Sequence, residues 1–139
     1  DFSQWPFWKR GAGLHARGRA YSIAKTGDKA EADLTAALDF TSEPRTRDAI
    51  WEAIGQNREN NLKHDETALA AYNAIVEGRT HIGGASEFTA LQGIARIQTR
   101  NGQFDEALKT LNRSEPDKLL GVWKTNIQKS IEAVNQARK

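Results

Sequence analysis

Small and apolar residues recur along this chain at spacings of three and four, the repeat of one helix face. Leu14, Arg17, Gly18 and Tyr21 are followed by Ala30, Leu34 and Ala37. Trp51, Ile54, Gly55 and Arg58 are followed by Ala68, Tyr72 and Ile75. Leu91, Ile94, Ala95 and Gln98 are followed by Ala107, Leu111 and Ser114. The step from the small residue to the first alanine is 12 residues from Gly18 to Ala30, 13 from Gly55 to Ala68 and 12 from Ala95 to Ala107. The pattern predicts three units, each of two helices joined by a tight turn. Glycine in Lys25–Lys29 and in Arg100–Asp105 marks two of the turns, and Asp65 in Leu62–Glu66 offers an N-cap for the helix after the other.

The small residues share one physical task. A hydrogen or a methyl at a crossing point lets two helix backbones approach, where a larger side chain would overpack the contact at about 1–3 kcal/mol. A further stripe, Leu120, Trp123, Ile127, Ile131 and Val134, predicts a last amphipathic helix after Pro116.

In this order the residues resemble the tetratricopeptide repeat family, whose unit of about 34 residues pairs two helices around such small positions. "LHARGRAYSIAKTGDKAEADLTAAL" is similar throughout, "WEAIGQNRENNLKHDETALAAYNAI" carries one extra residue, and "LQGIARIQTRNGQFDEALKTL" has alanine as its small residue. The chain departs from the family at Arg17, where an aliphatic is usual, and at Arg58 and Gln98, where an aromatic is usual; the closing proline is displaced. The connections through "TSEPRTR" and "VEGRTHIGGASEF" are also longer, giving steps of 37 residues from Gly18 to Gly55 and 40 from Gly55 to Ala95. The resemblance covers about residues 11–114. It implies an all-α, right-handed superhelix of three antiparallel pairs, at about 11–44, 45–80 and 85–114. A helix in 115–139 would then cap the apolar end.

Composition narrows the function classes. The 139 residues carry 20 Lys plus Arg against 18 Asp plus Glu, a formal +2. These charges are scattered, which favours a solvated surface over a nucleic-acid or acidic-membrane partner. Cysteine is absent, so thiolate metal sites, cysteine nucleophiles and disulfides are excluded. No apolar run approaches the roughly 18 residues that span a bilayer. A start at Asp1 with no methionine leads us to expect a processed protein or a piece of a longer one. Phe2, Trp5, Phe7 and Trp8 cluster in the first ten residues around Pro6, which argues against regular helix there; they are expected to cap the core or to dock a neighbouring domain.

Little in the chain points to catalysis. Asp105 and Glu106 fall in a first helical turn, where acids gain about 0.3–1 kcal/mol from the helix dipole, as do Asp65 and Glu66. His15, His64 and His81 have no metal-ligand spacing. Ser22, Ser42 and Ser86 lack a nucleophile setting; "HIGGAS" and "GAG" at 11–13 read as loops rather than phosphate cradles. No cofactor or metal is expected.

In the resembled family the first helix of each pair lines a concave groove. Projected from the small residues, that lining is His15, Arg19, Glu52, Gln56, Asn60, Gln92, Arg96 and Arg100. Arg19, Arg96 and Arg100 suit an acidic or carboxylate-bearing peptide, Gln56 and Asn60 suit its backbone, and Glu52 and Glu59 partly offset the charge. The family's two-carboxylate clamp for chaperone tails is missing, since the corresponding positions hold His15, Arg19, Ala53, Thr89 and Gly93. The expected function is non-catalytic protein or peptide binding. The alternatives are an oligomerisation module pairing with a second copy, and an accessory domain of an enzyme whose catalytic part lies elsewhere.

Overall fold

Helix starts and stops set the architecture. The computed structural model describes residues 1–139, and contains α1 (Phe7–Ile23), α2 (Gly27–Ala37), α3 (Pro44–Asn60), α4 (Asp65–Val76), α5 (Ala85–Arg100), α6 (Phe104–Asn112) and α7 (Gly121–Ala137). Short 3-10 turns lie at Leu38–Phe40 and Pro116–Lys118, and there is no strand. The chain divides into two compact units, Asp1–Ala71 and Tyr72–Lys139, with the boundary inside α4.

The three turns within helix pairs are built alike. After α1 the Thr26 amide donates to the Tyr21 carbonyl, and after α5 the Gln103 amide donates to the Gln98 carbonyl, each five residues back. After α3 the His64 amide donates to the Arg58 carbonyl six residues back, so the extra residue of the second unit is absorbed within its turn. The next helix then opens the same way each time: the amides of Ala30, Ala68 and Ala107 donate to the carbonyls of Thr26, His64 and Gln103. All three alanines are fully buried.

The left-handed position of the turn falls on Lys25 (φ 62°), Lys63 (φ 58°) and Gly102 (φ 77°). Gly102 meets the expectation for a glycine stop. Gly27 does not, because it is the first residue of α2, where a Cβ would come within 2.8 Å of Leu62 Cδ2. Its value there is close approach rather than backbone freedom. Asp65 likewise lies just inside α4 rather than capping it, and His64 supplies the capping carbonyl.

In the unit Asp1–Ala71, Leu34, Ile50, Ile54, Ala30, Ala37 and Ala71 form the buried core, with Leu14, Tyr21, Leu38 and Trp51 packed around it. Gly18 is buried, and a Cβ on it would stand 2.7 Å from Leu34 Cγ. Helix α1 begins at Phe7, so Phe7–Arg10 and the "GAG" of 11–13 are helical rather than a separate segment and a loop. Pro6 immediately precedes the helix, consistent with its fixed φ and missing N–H. The glycines are tolerated because Phe40 Cβ lies 2.7 Å from the Cβ position of Gly11, and the Phe2 ring 2.8 Å from that of Gly13. Phe2 meets Trp5 edge-on at 4.7 Å, and Arg10 donates to the carbonyls of Trp5 and Ser3, folding the N-terminus back on α1.

In the unit Tyr72–Lys139, α5, α6 and α7 pack on one another around Ala95, Ala107, Leu111, Ile127 and Val134. Gly93 admits the fully buried Tyr72 ring, which lies 2.5 Å from where its Cβ would be. Trp123 on α7 packs against Phe88 on α5 at 5.1 Å.

Candidate functional site

The residues that depart from the repeat pattern tie helices together. Arg17 donates from Nε and Nη2 to the two carboxylate oxygens of Asp33 on α2, at 2.7 and 3.0 Å. Arg58 pairs with Glu31 at 2.7 Å and donates to the Thr67 carbonyl on α4. Gln98 Oε1 accepts from the Thr110 hydroxyl of α6 at 2.7 Å. Where a ring or an aliphatic would pack against the partner helix, these side chains make a hydrogen bond to a second helix instead. They are structural, and they leave the outer faces of α1 and α5 to carry any site.

On α5 the side chains of Gln92, Arg96 and Arg100 follow one another at intervals of four and share a face. That face and α7 enclose a cleft of about 490 Å³. Ala95 and Val134 are its buried apolar lining, Ala133 is an exposed part of it, and its polar lining adds Thr99, Asn126, Lys129 and Ser130. The charged members of the lining are all cationic: Arg96, Arg100 and Lys129. Gln92 Nε2 donates to Ser130 Oγ at 3.1 Å and more distantly to the Asn126 carbonyl, which fixes the amide across the cleft. Arg96 and Arg100 both engage other groups in the unliganded protein, so an anion must compete for them.

In the unit Asp1–Ala71 a second cleft, of about 600 Å³, lies between α1, the 3-10 turn at Leu38–Phe40 and the start of α3. It brings His15 and Arg19 together, beside Phe7, Trp8 and Phe40. His15 Nε2 is buried without a hydrogen-bond partner. Burial first, and the Arg19 guanidinium second, hold the imidazole below its ordinary pKa.

The sequence-derived lining is thus divided. Gln92, Arg96 and Arg100 share one cleft and His15 and Arg19 another, while Glu52, Gln56 and Asn60 line neither. Glu52 and Gln56 are half-buried on α3 and Asn60 is exposed at its end. Sequence reasoning missed the α7 side of the first cleft: Asn126, Lys129, Ser130 and Ala133 follow a spacing of three, one and three that would have put them on one face of the last helix.

No group of three or more His, Cys, Asp or Glu side chains is placed to hold a metal ion. The "HIGGAS" loop offers no open anion cradle at Gly84, because its amide donates to Glu87 Oε1 at 3.0 Å. No helix is long and apolar enough to cross a membrane.

The class these observations define is an all-α protein of paired helices. No protein-family model, curated protein or solved structure matches the chain.

Proposed function

We propose that this protein is a non-catalytic binding module of tetratricopeptide-repeat type, which holds an acidic or carboxylate-bearing peptide through its first-helix faces. The reading is supported by the shared turn of the three helix pairs, by the buried Ala30, Ala68 and Ala107, and by the close approach at Gly18. A right-handed superhelix is the architecture we infer from that repetition.

The observation that carries the functional part is the cleft between α5 and α7, with three cations in its lining beside the buried Ala95 and Val134. Arginine pairs a carboxylate through two parallel N–H donors, and a small-residue lining lets a peptide backbone approach. Asn126 and Gln92 add amides to the same lining. Because both arginines have prior engagements, binding should be modest and should weaken with added salt.

The test is calorimetric titration of an acidic peptide with a free C-terminal carboxylate against the protein and the Arg96→Glu/Lys129→Glu variant. The expected result is at least a tenfold loss of affinity in the variant, and an unchanged affinity would overturn the proposal. A second reading, self-association, is favoured by Leu120 and Val122, which are 84% and 65% exposed at the start of α7. Light scattering across a concentration series separates the two, since a monomer at all concentrations removes the second.

A further inference from the structure

The cleft in the unit Asp1–Ala71 has a different chemistry from the one between α5 and α7. Its walls are aromatic, and two of the rings stand open to water: Phe7 is 62% and Trp8 73% exposed. Phe7 leans on Phe40 with ring centroids 5.0 Å apart, so the wall is held in place by packing. Large exposed rings at the mouth of a concave site mark a surface that gains by covering them.

The charge around this cleft is cationic and unbalanced, with the Lys9 ammonium 5.1 Å from the Trp8 ring centroid beside it. Arg19 is the one charged side chain in the lining, and no carboxylate pairs with it. Glu43, an acid near the rim in sequence, is committed elsewhere: its carboxylate accepts from the Arg45 and Thr46 amides and from the Thr46 hydroxyl, capping α3. At neutral pH the imidazole of His15 is uncharged, held so by burial and by Arg19. The guanidinium thus stands at one side of a ring-lined space of a size that suits a small ligand.

From this geometry we propose that the cleft formed by Phe7, Trp8, His15, Arg19 and Phe40 binds a small planar aromatic carboxylate. The ring of the ligand lies against Trp8 and Phe7, and its carboxylate is held by Arg19. Bringing an anion to Arg19 also removes the like-charge penalty that the guanidinium places on His15, so binding and the protonation of His15 favour each other. The proposal stands independently of the peptide-binding reading, which rests on the other unit.

Indole-3-acetate is the probe, with indole-3-acetamide and cyclohexanecarboxylate as the uncharged and the non-aromatic controls. Two-dimensional NMR of the ¹⁵N-labelled full chain follows the Trp8 indole N–H and the Gly11 amide, while the His15 ring protons report its titration. The expected result is saturable shifts at Trp8 and Gly11, an upward move of the His15 titration, and at least tenfold weaker binding of either control. Arg19→Gln is exposed and outside the core, and should cut affinity about tenfold with an unchanged amide spectrum elsewhere. Equal binding of the acetamide, equal binding of the non-aromatic acid, or full affinity in Arg19→Gln would each overturn the proposal. So would the absence of any shift at Trp8 at millimolar probe.

Discussion

The pair α1 with α2 and the pair α5 with α6 share one turn, yet different forces hold them. In the first, Arg17 reaches Asp33 and Arg58 reaches Glu31, and the α1–α2 turn is clasped by amides from α3: Asn57 Nδ2 donates to the Gly27 carbonyl at 3.0 Å and Asn61 Nδ2 to the Ser22 carbonyl at 2.9 Å. In the second, Ala95, Ala107 and Leu111 meet Ile127 and Val134, and the Thr110 hydroxyl donates to Gln98 across the pair. Two helix pairs can therefore keep the same turn while one exchanges apolar contact for polar contact. The two differ in vulnerability: apolar packing fails by misfit, whereas a polar clasp fails when one partner is removed and the other is left buried.

The largest effect should come from a misfit. Both neighbours are fully buried, but at Gly93 an added Cβ meets the rigid Tyr72 ring, whereas at Gly18 it meets the branched aliphatic end of Leu34. Gly93→Val should cost about 3 kcal/mol by overpacking. Gly18→Ala should cost less, about 1 kcal/mol, because overpacking against the equally buried Leu34 is partly offset by the roughly 0.5–1 kcal/mol that the helix gains from the lost glycine. Urea midpoints measure both, and equal losses at the two sites would end the distinction between a rigid and a yielding neighbour.

Next in size is the amide clasp. Asn57 is fully buried, donates to Gly27 and accepts from Asn61, so Asn57→Ala strands two groups and should cost about 2 kcal/mol. Thr110→Val removes one half-buried bond in the other unit and should cost about 1 kcal/mol. A reversal of that order in urea unfolding would mean that the turn of α1 and α2 does not depend on α3.

Smaller still, and more diagnostic, is the exchange of the Arg17–Asp33 pair for leucines. Asp33 is buried while the Arg17 side chain is 39% exposed, so solvent screens part of the attraction. Asp33→Leu alone should lower the urea midpoint by leaving Arg17 against an apolar neighbour, and adding Arg17→Leu should restore most of it. If the double variant stays as unstable as the single one, the contacts of Arg17 with the Phe2 and Tyr21 rings, at 4.7 and 5.9 Å, matter more than its ion pair.

Much of the helix pattern was legible because spacing and small residues survive as local facts: Gly18, Ala30, Ala95 and Ala107 are buried as their period requires. The acids of the first helical turns, Asp28, Asp65, Glu66, Asp105 and Glu106, were legible for the same reason. What the spacing hides is which neighbour a side chain meets. Gly11 and Gly13 read as loop residues until Phe40, Phe2 and Trp5 are seen against them, partners 29, 11 and 8 positions away in sequence. The same limit applied to the clefts. Gln92, Arg96 and Arg100 could be placed on one face from α5 alone, but Lys129 enters only when α7 folds beside it, and Phe40 joins His15 only through the 3-10 turn after α2.

The smallest effect separates the two units by pH. The folded pKa of His15 lies below its ordinary 6.5, so the folded state binds this proton more weakly than the unfolded chain does. Its contribution to stability is therefore complete above about pH 6.5 and is lost as the pH falls through the folded value. In the other unit the shifted acid is Glu115, held below its ordinary 4.5 by the Lys118 ammonium, and its contribution survives until the pH falls under that value. Between pH 6.5 and 5, amide exchange corrected for its intrinsic rate should quicken in α1 and stay level in α5. His15→Gln should remove the difference, and a matching change in both helices would show that the loss at mildly acid pH belongs to the whole chain rather than to the buried imidazole.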